Sequence, residues 1–252
     1  MDALKKIRFI NADLLKLIAA ISMFIDHLGF IFFPEKEIYR IIGRLAMPLF
    51  AFMIAEGCRY TKNKTKHFCM IFALGVACQF VYYVFDPTDL YFGILITFSI
   101  AILLIYALQY LKRCLFDNGN AWKKILASLL FFGGVIATYF FCEKFTVDYG
   151  FWGCMMPVFA ALFDFHQIPV PDKLKKFDLL PLRIFCFAIP LCLMVFTVKS
   201  PFSTTFALAT LPLLLLYSGK KGKWNLKYFF YVFYPLHLGL LQGLQMLLEK
   251  FK

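Results

Sequence analysis

Asp26 and His27 stand side by side in ADLLKLIAAISMFIDHLGFIFF (residues 12–33), an apolar run of membrane-spanning length. An ionisable group placed in hydrocarbon is costly and marks a site by default. Just downstream, Arg40 and Arg44 are one helical turn apart and share a face. A third constellation is FYVFYPLHLGLL, where His237 follows Tyr234 by one turn and Pro235 can kink the helix. A carboxylate beside a guanidinium cancels two charges that a bilayer would not tolerate singly, whereas a neutral imidazole exchanges protons near neutral pH. Adjacent helical positions point about 100° apart, so Asp26 cannot orient the ring of His27 as a carboxylate–histidine dyad would. The expectation is an Asp26–Arg44 pair, with His27 left to act as a general base and His237 as the alternative base. Glu56, Arg183 and Asp148 fall near the ends of apolar runs, where charge is tolerated by snorkelling; for Arg183, phosphate binding is the sharper reading. His67 and His166 lie in or beside basic loops and read as solvated.

The elements that must position these groups are helices in a membrane. The chain of 252 residues is 62% hydrophobic, and its apolar residues come in blocks long enough to cross a bilayer. The reading is an all-α, polytopic helical bundle forming one domain over residues 1–252, with nine spans at 12–33, 40–58, 67–85, 91–111, 123–142, 148–164, 180–198, 202–217 and 226–248. The first run exceeds a signal-peptide core and no small-residue cleavage site follows it, so it reads as a retained anchor helix.

Sorting the 27 Lys and Arg residues by side, from a cytoplasmic N-terminus, tests this division. Eighteen fall inside: Lys5, Lys6 and Arg8; Arg59, Lys62, Lys64 and Lys66; Lys112, Arg113, Lys123 and Lys124; Lys173, Lys175 and Lys176; and Lys220, Lys221, Lys223 and Lys227. Six fall outside, Lys36, Arg40, Lys144, Lys199, Lys250 and Lys252, while Lys16, Arg44 and Arg183 lie within or at the ends of spans. Every inner loop is richer than every outer one, which predicts a cytoplasmic N-terminus and an extracytoplasmic C-terminus. Trp122, Trp152 and Trp224 fall at span boundaries as interfacial anchors. The net charge of +12 is therefore assigned to orientation in the cytoplasmic membrane and not to nucleic acid, for which no hydrophilic domain is present. The eight cysteines show no CxxC spacing and sit mostly in apolar runs, so no metal is implied. No phosphate loop, GxSxG elbow or useful internal repeat is visible.

Three stretches together resemble the TraX family: MFIDHLGFIF, YRIIGRLAMPLFAFMIAEGCRYTKN and FYVFYPLHLGLL, with DYGFWGCMMPVFAALF between them. The spacing also fits, so the resemblance covers most of the chain. One departure stands in the fourth span, FGILITF, where Gly93 and Ile96 occupy the region of an Asn in relatives and Thr97 is retained. The resemblance implies a membrane-embedded acetyltransferase that takes acetyl-coenzyme A from the cytoplasm and modifies an amine or hydroxyl of a pilin, another protein or a cell-envelope acceptor. It carries over Asp26, His27, Arg44, Glu56, Tyr234, Pro235 and His237. On this reading His27 is the base, Arg44 can stabilise the developing oxyanion, and Tyr234, Glu56, Arg40, Arg183 and Asp148 line the channel for acetyl-coenzyme A and acceptor. A covalent histidine intermediate and direct transfer are both open. The rival class is a proton-coupled transporter or permease, which also uses intramembrane Asp, His and Arg but would show repeat symmetry or paired broken helices. A non-catalytic assembly protein, with polar groups only joining helices, is the third.

Overall fold

A computed structural model describes residues 8–85, 91–117, 120–197, 202–224 and 226–250. Lys5, Lys6, Lys199 and Lys252, used above to sort charge, lie outside the described residues, as does the predicted turn at residues 86–89. The protein is mostly helical. Among the described residues, six helical stretches are long and apolar enough to cross a membrane: Ala12–Phe32, Glu37–Tyr60, Lys64–Val84, Ile94–Phe116, Ala121–Lys144 and Leu180–Thr197. The other three predicted segments are also helical: Gly150–Ala160 has 11 residues, Phe202–Ala209 is a 3-10 helix continued by Thr210–Leu215, and Lys227–Lys250 is a full 24 residues carrying three glutamine and histidine side chains among its apolar ones.

The chain forms two compact units, one built from Met1–Met53, Val76–Asp89 and Val195–Lys252, the other from Ile54–Gly75 and Leu90–Met194. In the first unit, α1 (Ala12–Phe32) starts at Asn11, whose side-chain oxygen accepts the Leu14 N–H at 2.9 Å and satisfies one of the donors a helix start leaves open. It ends just before Pro34. Helix α2 (Glu37–Gly43) follows, and the predicted span from 40 to 58 is interrupted after it, at Arg44 and Leu45, before α3 (Ala46–Tyr60) resumes. Pro48 explains the break, because it has no N–H to return to the carbonyl of Arg44. Helix α1 packs on α2, and α2 packs on the 3-10 helix.

The chain before α1 is strapped to the segment after α10 (Thr210–Leu215). Ile10 pairs in parallel with Tyr217, Ser218 N–H donates to the Ile10 carbonyl at 2.8 Å, and Ala12 N–H donates to the Lys220 carbonyl at 3.0 Å. Buried Asp13 accepts the Trp224 N–H at 2.9 Å, and Gly222 packs so close to its carboxylate that no Cβ would fit. Helix α11 (Lys227–Lys250) returns onto α1.

In the second unit, α5 (Ile94–Phe116) is the inner helix and α6 (Ala121–Lys144) the outer, since their spans are 61% and 17% buried. Thr97, Phe98, Ala101, Ile102, Ile105 and Leu108 recur every three or four residues and form the buried stripe of α5. A two-residue parallel ladder, β1 (Tyr91–Phe92) with β2 (Thr146–Val147), sits at one end of these helices. Helix α7 (Gly150–Ala160) starts behind Tyr149 and Gly150, both left-handed at φ 60° and 56°. Helix α4 spans Lys64–Phe85, and between α7 and α9 (Leu180–Thr197) the short helix α8 (Asp172–Lys175) interrupts an otherwise irregular connection.

Candidate functional site

Helices α1, α2 and α11 bring the sequence-predicted groups of the first unit together. Gly29 and Gly43 let α2 lie hard against α1: an added Cβ would strike Tyr39 in one case and the Asp26 side chain in the other. This close approach decides which arginine the carboxylate meets. Asp26 Oδ2 accepts from Arg40 Nη1 at 2.8 Å, so the ion pair is with Arg40 and not with the expected Arg44. Arg44 is the residue on which α2 ends, one turn further along, and it acts on Asp26 electrostatically after Arg40. Its Nε is buried with no hydrogen-bond partner among the described residues, as is Asp26 Oδ1. The Arg40 guanidinium also lies over the Phe30 ring at 5.4 Å.

His27 is not left alone as expected. Its Nδ1 lies 3.2 Å from Nε2 of His237, which α11 delivers 3% exposed. The proton positions follow from the acceptors. His237 Nδ1 is 2.9 Å from the Phe233 carbonyl, which can only accept, so His237 carries its proton on Nδ1 and offers a lone pair at Nε2. His27 must then donate from Nδ1. The remaining lone pair of the couple is on His27 Nε2. Phe233 stacks on the His237 ring at 4.9 Å and 11°, and Tyr234 meets it edge-on at 5.6 Å, so the ring has little freedom to turn.

The other predicted residues lie in the second unit and form a different arrangement. Glu56 Oε1 and Arg183 Nη2 are 2.5 Å apart with both side chains almost fully buried, and Arg183 Nε donates to the Ala160 carbonyl at 3.2 Å. Asp148 contributes its backbone: the N–H donates to the Phe92 carbonyl at 2.9 Å, and the carbonyl accepts from Thr97 Oγ1 at 2.9 Å. His67 is not simply solvated, because its Nδ1 is 2.8 Å from the Tyr106 hydroxyl. His166 is exposed, with its ring edge-on to Tyr60.

Sequence reasoning missed a charged clasp in this unit. Arg59 Nη1 bridges Asp164 and Asp178 at 2.6 Å each, and buried Lys112 donates to the carbonyls of Ala161 and Asp164 at 2.7 and 3.0 Å. Gln167 Nε2 donates to the Arg59 carbonyl at 2.9 Å, and Asp178 Oδ2 accepts the Phe165 N–H at 3.2 Å. These bonds pin the connection between α7 and α9. The available signal was Asp178 in a connection predicted to lie on the same side as Arg59 and Lys112, with Asp164 at the end of the span before it. Among the described residues no group of three or more His, Cys, Asp or Glu side chains is placed to share a metal ion.

One similar protein matches along nearly its whole length and another along about half of it. One described as Probable fimbrial assembly protein FimC, serogroup H1, of Dichelobacter nodosus is 29% identical over 95% of this chain and 97% of that one. An uncharacterized protein of Rickettsia prowazekii (strain Madrid E) is 34% identical over 50% of this chain and 49% of that one. No solved structure matches the chain. The model of the family described as TraX protein matches residues 11–245, a stretch that contains Asp26, Arg40 and both paired histidines, and the chain is thus a multi-pass membrane protein of the TraX family.

Proposed function

We propose that the protein is a membrane-embedded acetyltransferase in which His27, backed by His237, takes a proton from an acceptor amine or hydroxyl. The observation that carries this reading is the ordered pair of imidazoles: Phe233 carbonyl, His237, then His27, ending in one uncommitted lone pair at His27 Nε2. Acetyl-coenzyme A supplies an activated thioester. His27 Nε2 accepts the acceptor's proton as the acceptor nitrogen or oxygen bonds to the thioester carbonyl carbon, and returns it to the thiolate released when the carbon–sulfur bond breaks. While His27 holds that proton, its Nδ1–H can pass toward His237 Nε2, so the charge is spread over two rings. Arg44, whose Nε has no hydrogen-bond partner among the described residues, is the group suited to the developing oxyanion, while Arg40 is engaged by Asp26. The basic segment at 220–227, in the same unit as the two histidines, matches the phosphates of the coenzyme.

Similarity to a protein described by a fimbrial assembly name supports a fimbrial or pilin amine as acceptor, with a cell-envelope hydroxyl as the other member of the class. The nine-span arrangement, with the N-terminus cytoplasmic and the C-terminus extracytoplasmic, puts Asp26 and His27 in the outer half of the bilayer, facing such an acceptor. The test is purified protein with acetyl-coenzyme A and candidate acceptors, with coenzyme A release quantified chromatographically for wild type, His27→Ala and His237→Ala. Coenzyme that is neither bound nor consumed would refute the enzyme; full activity in a folded His27→Ala chain would refute the site.

A further inference from the structure

We propose that His27 and His237 also form a two-ligand site for a divalent transition-metal ion of the zinc class, bound between His27 Nδ1 and His237 Nε2. An imidazole nitrogen lies about 1.15 Å from its ring centre, so a collinear hydrogen bond of this length would hold the centroids about 5.5 Å apart. They are 5.1 Å apart, with the planes at 54° and the nitrogens at 3.2 Å. At least one lone-pair axis therefore points to the side of the line joining the two atoms. Two imidazoles on one tetrahedral ion, each about 2.0–2.1 Å from it, hold their nitrogens about 3.3 Å and their centroids about 5.2 Å apart. The histidines already stand at those separations, so an ion can enter without a helix moving.

The surroundings suit a nitrogen-liganded ion. The Phe233 carbonyl holds His237 Nδ1–H at 2.9 Å, the outer support that fixes the tautomer of a metal-binding histidine. Imidazole ligands select zinc, cobalt, nickel or copper over magnesium and calcium, which require oxygen. The Asp26 carboxylate, on the preceding residue, is already paired with Arg40 and faces Arg44 as well, so the two imidazole nitrogens, and not the local charge, must hold the ion. The remaining coordination positions fall to water or to the acceptor.

Occupation has a chemical consequence, which rests on the transferase reading above. An ion on His27 Nδ1 requires that ring's proton to sit on Nε2. No proton is gained or lost, but the nitrogen assigned as base is capped, so a zinc-class ion switches transfer off.

The experiment uses the full, tag-free chain in nanodiscs, with Co²⁺ alone as the probe, followed by visible absorption and equilibrium dialysis. A single Co²⁺ should bind per chain with a tetrahedral spectrum and be displaced by Zn²⁺. Losing a direct ligand should weaken binding by at least the about tenfold that an outer-shell loss costs, in His27→Ala and His237→Ala separately, while His67→Ala and His166→Ala bind as wild type. His27→Gln and His237→Gln replace any alanine variant whose circular dichroism shows it unfolded. Absence of saturable binding, or binding that survives both substitutions, overturns the proposal. No acetyl-coenzyme A is present, so the two readings fail separately: a chain that binds Co²⁺ but transfers no acetyl group keeps the site, and a transferring chain that binds none loses it.

Discussion

The division of labour between the two histidines predicts different losses on removing each. His27 is assigned as the base, and removing a general base costs typically ~10² to 10⁴ in rate. His237 is assigned no proton abstraction; it accepts one hydrogen bond, at 3.2 Å, from His27 Nδ1. Such a bond is worth about 0.5–1.5 kcal/mol while His27 is neutral and about 1.5–3 kcal/mol once it is charged, and the difference of about 1–1.5 kcal/mol is about 5- to 13-fold in rate. His237→Leu should therefore lower kcat/KM by about that factor. His237→Gln can place its amide oxygen where Nε2 stood, so it should recover most of the loss. The assay is steady-state acetyl transfer followed by chromatography, because eight free cysteines would consume a thiol-reactive dye. The reasoning is refuted if His237→Leu falls as far as His27→Ala and His237→Gln gives no recovery, for then His237 would be the base.

Gly43→Ala should lower stability by about 1–3 kcal/mol, the usual cost of forcing a methyl into a packed contact, because its Cβ would meet Asp26; thermal unfolding in detergent reads this. Glu56→Ala and Arg183→Ala should each destabilise by about 3–5 kcal/mol, since each strands a buried charge, whereas the paired change Glu56→Gln with Arg183→Met should cost clearly less than the sum; equal additivity would argue against a coupled pair. A reporter fused after Lys252 should be active only on the outer side of the membrane, and cytoplasmic activity would overturn the orientation drawn from charge sorting.

The polar pair in α1 was legible because charge inside an apolar run stands out, and the short connection to α2 already required those helices to be neighbours. Which arginine Asp26 meets was not legible. Arg40 and Arg44 share a helical face, and the choice turns on how deeply Gly43 lets α2 sink onto Asp26 and on a helix break imposed by Pro48. The His27–His237 contact was hidden for another reason: helical periodicity gives the face a residue occupies but not which distant helix that face meets, and these residues are 210 positions apart. The clasp around Arg59 and Lys112 was missed because charge counting treated both as topology signals. Their neutralisation by Asp164, Asp178 and backbone carbonyls depends on a loop fold that spacing does not encode.

The histidine couple also has a schedule. His27 leaves the ribosome 210 residues before His237, and at about 5–20 residues per second that is about 10–40 s of synthesis. Throughout that interval α1 holds an imidazole whose intended partner does not yet exist, and the strap from Ile10 to Tyr217 cannot form either. On the transferase reading, nascent chains are inert until the last helix arrives. A chain cut short before α11 would keep all six long apolar helices in the bilayer and still lack His237, so on the transferase reading it could not act on acceptors before its own insertion is finished.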